Sequence, residues 1–223
     1  MLKIKDLHFK YKNSKIDNIE DFNIDIKKGA IVGILGESGS GKSTMLRIIA
    51  GLESAYKGRI VIDDKVVYDN KNFVEPENRG IGMVFQDYAL FPHMTVAKNI
   101  MFGLKKMSKS EKEKRMTEML ELVNLLEHKD KYPHELSGGQ QQRIAIARAL
   151  APNPSILLLD EPFSNLDAHL QEKIRTELKS IIQKANITSI FVTHDKEDAK
   201  ALADKVVVLQ NGKIIKYGDV NIV

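Results

Sequence analysis

The chain has 223 residues, 43% hydrophobic and 29% charged, enough for one large or two small globular domains with a core of their own. Its 34 basic and 30 acidic residues leave a net charge of +4, and the basic residues are scattered rather than gathered with aromatics, which predicts solvated surface and no nucleic-acid partner. The lack of cysteine excludes disulfides and thiol chemistry, the charges throughout residues 1–20 predict no signal peptide, and no apolar run approaches the ~18 residues of a membrane span.

Residues 2–9 (LKIKDLHF) alternate apolar and polar, the period of a half-buried strand, with Phe9 and Tyr11 expected on one face. The stretch FKYKNSK then runs into a polar turn, and FNIDI (22–26) alternates again. After a KKG turn comes AIVGIL (30–35), a short apolar run suited to a buried strand. It feeds directly into GESGSGKST, that is Gly36, Glu37, Ser38, Gly39, Ser40, Gly41, Lys42, Ser43 and Thr44, and the helical pattern MLRIIAGL follows.

Strand, glycine loop and helix form the setting in which Gly-x-x-x-x-Gly-Lys-Ser denotes a phosphate-binding loop. Backbone N–H groups at a helix N-terminus, where the helix dipole adds to them, hold compact anions well. The glycines let the backbone curl, Lys42 offers a charge to the β- and γ-phosphates, and Ser43 offers a hydroxyl to Mg²⁺. By itself this loop implies a nucleoside triphosphate and nothing narrower.

GRIVIDDKVVY (58–68) reads as a hairpin turning at Asp63 and Asp64, and NRGIGMVFQ (78–86) as a short strand ending at Gln86. Between about 87 and 135 the pattern is helical. Thr95 is placed as a cap for TVAKNIMFGL, and Ser108 with Glu111 forms a capping-box spacing. Met116, Met119, Leu120 and Val123 fall on one face, and this whole stretch is predicted to be a helical subdomain inserted in an α/β core.

LSGGQ (136–140) opens a further helix. ILLL (156–159) is an unbroken apolar run of the kind found in central parallel strands, and it ends in Asp160 and Glu161. A helix with Leu170, Ile174, Leu178 and Ile181 on one stripe comes next, then a strand TSIFVT (188–193), His194, and a helix from Asp195. The runs 206–209 and 213–217, with Asn-Gly between them, predict a closing hairpin.

Gly36, Gln86, the pair Asp160–Glu161 and His194 each stand just past the end of a predicted strand, which is where an open parallel sheet binds its ligands. Asp160 is a candidate partner for the metal or its waters beside Ser43, and Glu161 a candidate general base for water attacking the γ-phosphate. The alternative is a carboxylate pair that merely caps the next helix. His194 is a candidate donor to the γ-phosphate against an ordinary structural histidine. Gln86 is a candidate to orient water or touch the metal against a solvated turn residue. The two glycines of LSGGQ make a second set of N–H donors at a helix start, either a plain turn or a cradle for a nucleotide held by another subunit.

The order GESGSGKST, Gln86, LSGGQ, ILLLDEP, SNLD and His194 resembles the ATP-binding cassette family along essentially the whole chain. The resemblance implies a P-loop NTPase fold: a central, mainly parallel sheet, an N-terminal antiparallel β subdomain and the inserted helical subdomain. It implies ATP and Mg²⁺ as cofactors, with Glu161, His194, Gln86 and Lys42 catalytic and Ser43, Gln86 and Asp160 at the metal. It also implies a homodimer formed on ATP binding, in which subunits pair head to tail and each ATP meets one subunit's loop and the other's Ser137, Gly138, Gly139 and Gln140. Asp167 would lie at the subunit interface. Tyr11 takes the place of the adenine-stacking aromatic, with Phe9 as the alternative.

VFQDYALFPHMTVAKNIMFGL is similar to importer ATPases of the ferric-iron, polyamine, sulfate and maltose group. That implies the motor subunit of an importer, peripheral at the cytoplasmic face of the cell membrane, with membrane permease subunits docking on the helical subdomain at Phe91, Pro92, His93 and Met94. A solute-binding protein would complete the system. The expectation is a single domain over 1–223, without the C-terminal β-rich regulatory domain that many members of that group carry. The alternative is a non-transport cassette ATPase acting on DNA or the ribosome. The former inserts long coiled coils where only about fifty residues separate Gln86 from Leu136, and the latter fuses two cassettes. A GTPase would carry Asn-Lys-x-Asp, which is absent.

Overall fold

The computed structural model describes residues 1–12, 14, 16–164 and 168–223, with the backbone alone at 168–170. The elements run β1 (Leu2–Phe9), β2 (Ile19–Ile26), β3 (Ile31–Leu35), α1 (Lys42–Ala50), β4 (Lys57–Ile62), β5 (Lys65–Tyr68) and β6 (Ile81–Val84). There follow α2 (Val96–Met101), α3 (Lys109–Leu122), α4 (Gly138–Leu150), β7 (Ile156–Asp160), α5 (Ala168–Ala185), β8 (Thr188–Thr193), α6 (Lys196–Leu202), β9 (Lys205–Gln210) and β10 (Lys213–Asp219).

An antiparallel sheet has the order β2-β1-β4-β5, and a second sheet the order β10-β9-β3-β8-β7-β6. In the second, β3, β6, β7, β8 and β9 are parallel and β10 pairs antiparallel with β9. The alternation expected for residues 2–9 fails once. Leu2, Ile4, Leu7 and Phe9 are the buried set, so the inward step is three residues between Ile4 and Leu7. A bulge takes up the extra residue: Asp6 has φ 49°, and the register shifts there against both neighbouring strands.

Both hairpins turn through two residues of positive φ, Asp63 (47°) with Asp64 (62°), and Asn211 (47°) with Gly212 (77°), the geometry that matches strand twist. At Gly212 a Cβ would lie 2.5 Å from the Asn18 carbonyl oxygen, so glycine is required there for space as well as for conformation.

The parallel sheet is buried on both faces, which is why its strands read as continuous apolar runs. In β7, Ile156 and Leu158 face α1 and the antiparallel sheet, whereas Leu157 and Leu159 face the remaining helices. All five residues of β7 are buried, and full burial of a leucine side chain contributes about 2 kcal/mol. β3 divides in the same way, and Gly33 is bare because the Phe191 ring fills the space: a Cβ there would lie 2.9 Å from it.

Among the described residues no strand lies between Val84 and Ile156. The Thr95 cap holds, accepting from the Lys98 amide at 3.4 Å, but α2 stops at Met101, earlier than the pattern suggests, and Phe102 is half exposed. Ser108 and Glu111 make the reciprocal capping box, at 3.3 and 2.7 Å. Met116, Met119, Leu120 and Val123 are buried as expected, in one core with Ile144 and Leu150 of α4 and with Leu157 and Leu159 of β7. The helices after Gln86 therefore share the core of the sheet rather than enclosing a separate one. On α5, Ile174, Leu178 and Ile181 form the buried stripe, while the side chain of Leu170 lies outside the described set.

Arg79 fixes the far end of α1. It is buried, donating from Nη1 to the carbonyls of Ile48 and Ile49 (2.9 Å each) and from Nε to that of Val74 (2.7 Å). A cation at a helix C-terminus meets both the unpaired carbonyls and the negative end of the dipole. Burial pushes the guanidinium down from its ordinary value, yet it stays charged. Replacing Arg79 by Ala removes its donors to the Ile49 and Val74 carbonyls, leaves Ile48 with the Gly51 amide alone (3.1 Å) and opens a cavity, so unfolding in urea is expected to lose about 3 kcal/mol. A loss under ~0.5 kcal/mol would mean that water satisfies those carbonyls equally well.

Candidate functional site

The carboxyl ends of β3, β6, β7 and β8 deliver the polar groups. β3 runs into the glycine loop, β7 ends at Asp160 with Glu161 next, β8 ends before His194, and Gln86 stands exposed two residues beyond β6. Gly36–Ser38, Glu161, His194 and Lys196 border a cleft of about 600 Å³.

The loop leaves little room for further side chains. A Cβ at Gly36 would lie 2.4 Å from the Leu209 carbonyl oxygen, and Gly41 has φ 101°, a conformation other residues rarely adopt. Gly41 is also the N-cap of α1, and no side chain caps that helix, so its N-terminal donors face outward. The buried Ser40 hydroxyl has no hydrogen-bond partner among the described residues.

Lys42 is buried and curls back, donating to the carbonyls of Gly36 (2.8 Å) and Glu37 (2.9 Å), with Nζ 4.0 Å from Glu161 Oε1. Ser43 donates to Asp160 Oδ1 at 2.7 Å, and the Glu161 Oε2 atom is 3.4 Å from His194 Nδ1. Burial pushes the Lys42 ammonium down from its ordinary value, against the pull of Glu161 and Asp160. It pushes the Asp160 carboxyl up, against the Ser43 hydrogen bond, and the Glu161 charge adds to the rise. Glu161 itself has φ 44°, an uncommon conformation for a residue with a side chain, and its amide donates to the Val192 carbonyl at 3.2 Å.

Tyr11 joins the loop through its hydroxyl, 3.0 Å from Thr44 Oγ1, and its ring meets Phe9 edge-on at 4.7 Å. Phe9 is 3% exposed against 38% for Tyr11, so Phe9 belongs to the core and Tyr11 is the accessible ring of the two.

Ser137, Gly138, Gly139 and Gln140 stand apart from this group. Ser137 and Gln140 form a capping box at the start of α4, and Gln140 reaches His128 at 3.2 Å. A Cβ on Gly139 would lie 3.0 Å from Ile174. Asp167 falls outside the described residues.

Sequence reasoning missed three polar clamps. Arg148 donates to the carbonyls of Tyr88 (2.9 Å) and Ala89 (2.7 Å), consecutive residues of positive φ just after Gln86. Asn99, fully buried, bonds both backbone groups of Phe91 and the carbonyls of Met94 and Thr95, pinning segment 91–95. Arg175 bridges Asp195 and Asp198 beside His194. A pair of acids just after the histidine, three residues apart, was the available signal for the last.

The family model described as "ABC transporter" matches residues 19–164. The chain is 48% identical over 202 residues to a "Probable sulfate/thiosulfate import ATP-binding protein" of Chlorella vulgaris, covering 90% of this chain and 84% of that one. It is 46% identical over 219 residues to an "Fe(3+) ions import ATP-binding protein" of Fusobacterium nucleatum, covering 97% of this chain but only 57% of that relative's length. A solved dimeric ATP-binding cassette, MJ0796 in a post-hydrolysis state bound to ADP and Pi, superposes with a TM-score of 0.83 at 36% identity over 99% of both chains. No described helix is long and apolar enough to cross a membrane. Family match, overall fold and the identities over most of the chain converge: the chain belongs to the ABC transporter family.

Proposed function

We propose that this chain is the ATP-hydrolysing motor of an importer, binding MgATP between two head-to-tail subunits and coupling hydrolysis to transport through a membrane permease. The observation that carries the reading is the convergence of the glycine loop, Asp160, Glu161 and His194 at the ends of adjacent parallel strands. Two relatives named for import and a dimeric neighbour bound to ADP and Pi support it.

In this reading the α1 N-terminus and the loop amides hold the phosphates, with Lys42 and the Ser40 hydroxyl turning toward them. Magnesium fits the donor set, since Ser43 and Asp160 supply hard oxygens 2.7 Å apart, and Gln86 is the remaining candidate ligand. When bound, the ion would neutralise charge between the β- and γ-phosphates. Glu161 takes the proton of the attacking water, and His194, 3.4 Å away, donates toward the γ-phosphate. Tyr11 presents its ring to the adenine.

The placement of residues 137–140 supports sharing of the site between chains. The side-chain hydrogen bonds of Ser137 and Gln140 run to each other and to His128, and none reaches the loop. Segment 91–94, pinned by Asn99 and left partly exposed, suits a surface for permease subunits, which would hold the protein peripherally at the cytoplasmic face of the membrane. A solute-binding protein is the partner expected for an importer.

Glu161→Gln is expected to bind ATP as the parent does and to lose steady turnover by at least ~100-fold, because the base is gone and the cradle remains. Phosphate release beside nucleotide affinity measures both, and near-normal turnover would remove Glu161 from the role.

Mixing tests the shared site. Lys42→Ala and Gly138→Asp homodimers should each be inactive, since both of their sites carry the lesion. In the mixed dimer one site joins both lesions and the other joins a sound loop to a sound signature, so activity should reappear. Mixed dimers proven by crosslinking yet as inactive as their parents would argue for loop and signature acting within one chain.

Changes at Phe91 or Met94 should spare ATPase activity of the separate chain and uncouple it from transport in reconstituted vesicles. Loss of both together would mean that these residues serve packing alone.

A further inference from the structure

His194 is largely exposed, with 61% of its side chain accessible, so packing of its own ring does not hold it in place. Its neighbours are held instead. Thr193 is 2% exposed, and its hydroxyl donates to Asp198 Oδ2 at 2.5 Å while accepting the Asp195 amide at 3.0 Å. Asp198 is 4% exposed, and Arg175 of α5 meets its Oδ1 from Nε at 2.7 Å and from Nη2 at 2.6 Å. The same Nη2 reaches Asp195 Oδ2 at 2.7 Å, and Asp195 caps α6 by accepting from the Glu197 amide. The residues on both sides of His194 are thus tied to one buried carboxylate and one guanidinium.

Arg175 also touches the other strand end. Its Cζ lies 5.8 Å from the centre of the Phe163 ring, two residues past Glu161. The guanidinium therefore sits between the segment that presents Glu161 and the one that presents His194. A buried carboxylate costs desolvation, and burial does push the Asp198 carboxyl up, with Thr193 and Arg175 opposing the rise. Hydrophobic residues of similar size would fill the same space without that cost. Directional hydrogen bonds supply what such packing would not: a fixed backbone path at an exposed residue.

We propose that Asp198 and Arg175 are positioning residues that set the His194 ring against Glu161 for hydrolysis. The proposal rests on the reading of His194 as a group acting on the γ-phosphate. It requires no contact between Asp198 or Arg175 and the nucleotide, so affinity for ATP should be indifferent to both.

The test is a double-mutant cycle on the 223-residue chain: Asp198→Asn, His194→Ala and the two combined, with Arg175→Lys as a second entry to the network. Asp198→Asn keeps size and shape but weakens the bonds to Arg175. It is expected to lower kcat about tenfold or more, with the affinity for a fluorescent ATP analogue unchanged within about twofold. Combined with His194→Ala, it should add no further loss, because its effect passes through that ring. Arg175→Lys should follow the same pattern, and Asp198→Glu should recover part of the rate.

If the Asp198→Asn and His194→Ala losses multiply, or the ATP analogue binds at least tenfold more weakly to Asp198→Asn, the network stabilises the fold generally and the positioning role is wrong. If His194→Ala lowers kcat but neither Asp198→Asn nor Arg175→Lys does, the positioning role is wrong while the reading of His194 stands. If His194→Ala leaves kcat unchanged, the assignment of the histidine fails first and the positioning role with it.

Discussion

A parallel sheet covered on both faces has no polar surface except at its ends. Everything about where this protein can do chemistry follows from that constraint. β3, β7 and β8 are buried throughout, with alternate residues serving one core or the other, so a charged side chain in mid-strand would meet hydrocarbon on either side. Polar groups collect where the strands stop, and the carboxyl ends of adjacent strands bring them together from positions more than a hundred residues apart, as Ser43 and Asp160 illustrate.

The same constraint sets the electrostatics of the cleft. Lys42 and Asp160 are both nearly inaccessible, and burial pushes each toward its neutral form, the ammonium down and the carboxyl up. Two opposite charges held in one low-dielectric pocket are costly apart and tolerable together. Lys42 satisfies its donors on the loop's own carbonyls and lies 4.0 Å from Glu161, and Asp160 takes the Ser43 hydroxyl. A phosphate can take the Lys42 donors and a hard cation the Ser43 and Asp160 oxygens, which is the physical sense in which the site is prepared for them.

Around this centre, irregular backbone is held by arginines and amides in addition to apolar packing. Arg148 clamps the positive-φ pair after Gln86, Arg79 closes the end of α1, Asn99 pins segment 91–95, and Arg175 spans the turns after β7 and β8. Each serves carbonyls or carboxylates in turns and at helix ends. A guanidinium suits this task because its planar fork engages several acceptors at once.

What the sequence determined by itself was whatever depends on neighbours along the chain. The loop GESGSGKST, the capping box at Ser108, the helix start at LSGGQ, the hairpin turns at Asp63–Asp64 and Asn211–Gly212, and the buried runs of β3 and β7 are each set by local propensity and short-range spacing. The order of motifs was enough to indicate the family. Tertiary structure decided what depends on contact between distant segments. It buried Phe9 and left Tyr11 open, placed the Asp6 bulge, merged the helices after Gln86 with the core of the sheet, and assembled the Arg175–Asp198–Thr193 network. Arg175 looks like an ordinary surface charge in a linear reading, and the spacing of Asp195 and Asp198 does not name their partner, because a hydrogen bond between α5 and α6 leaves no periodic trace in either helix.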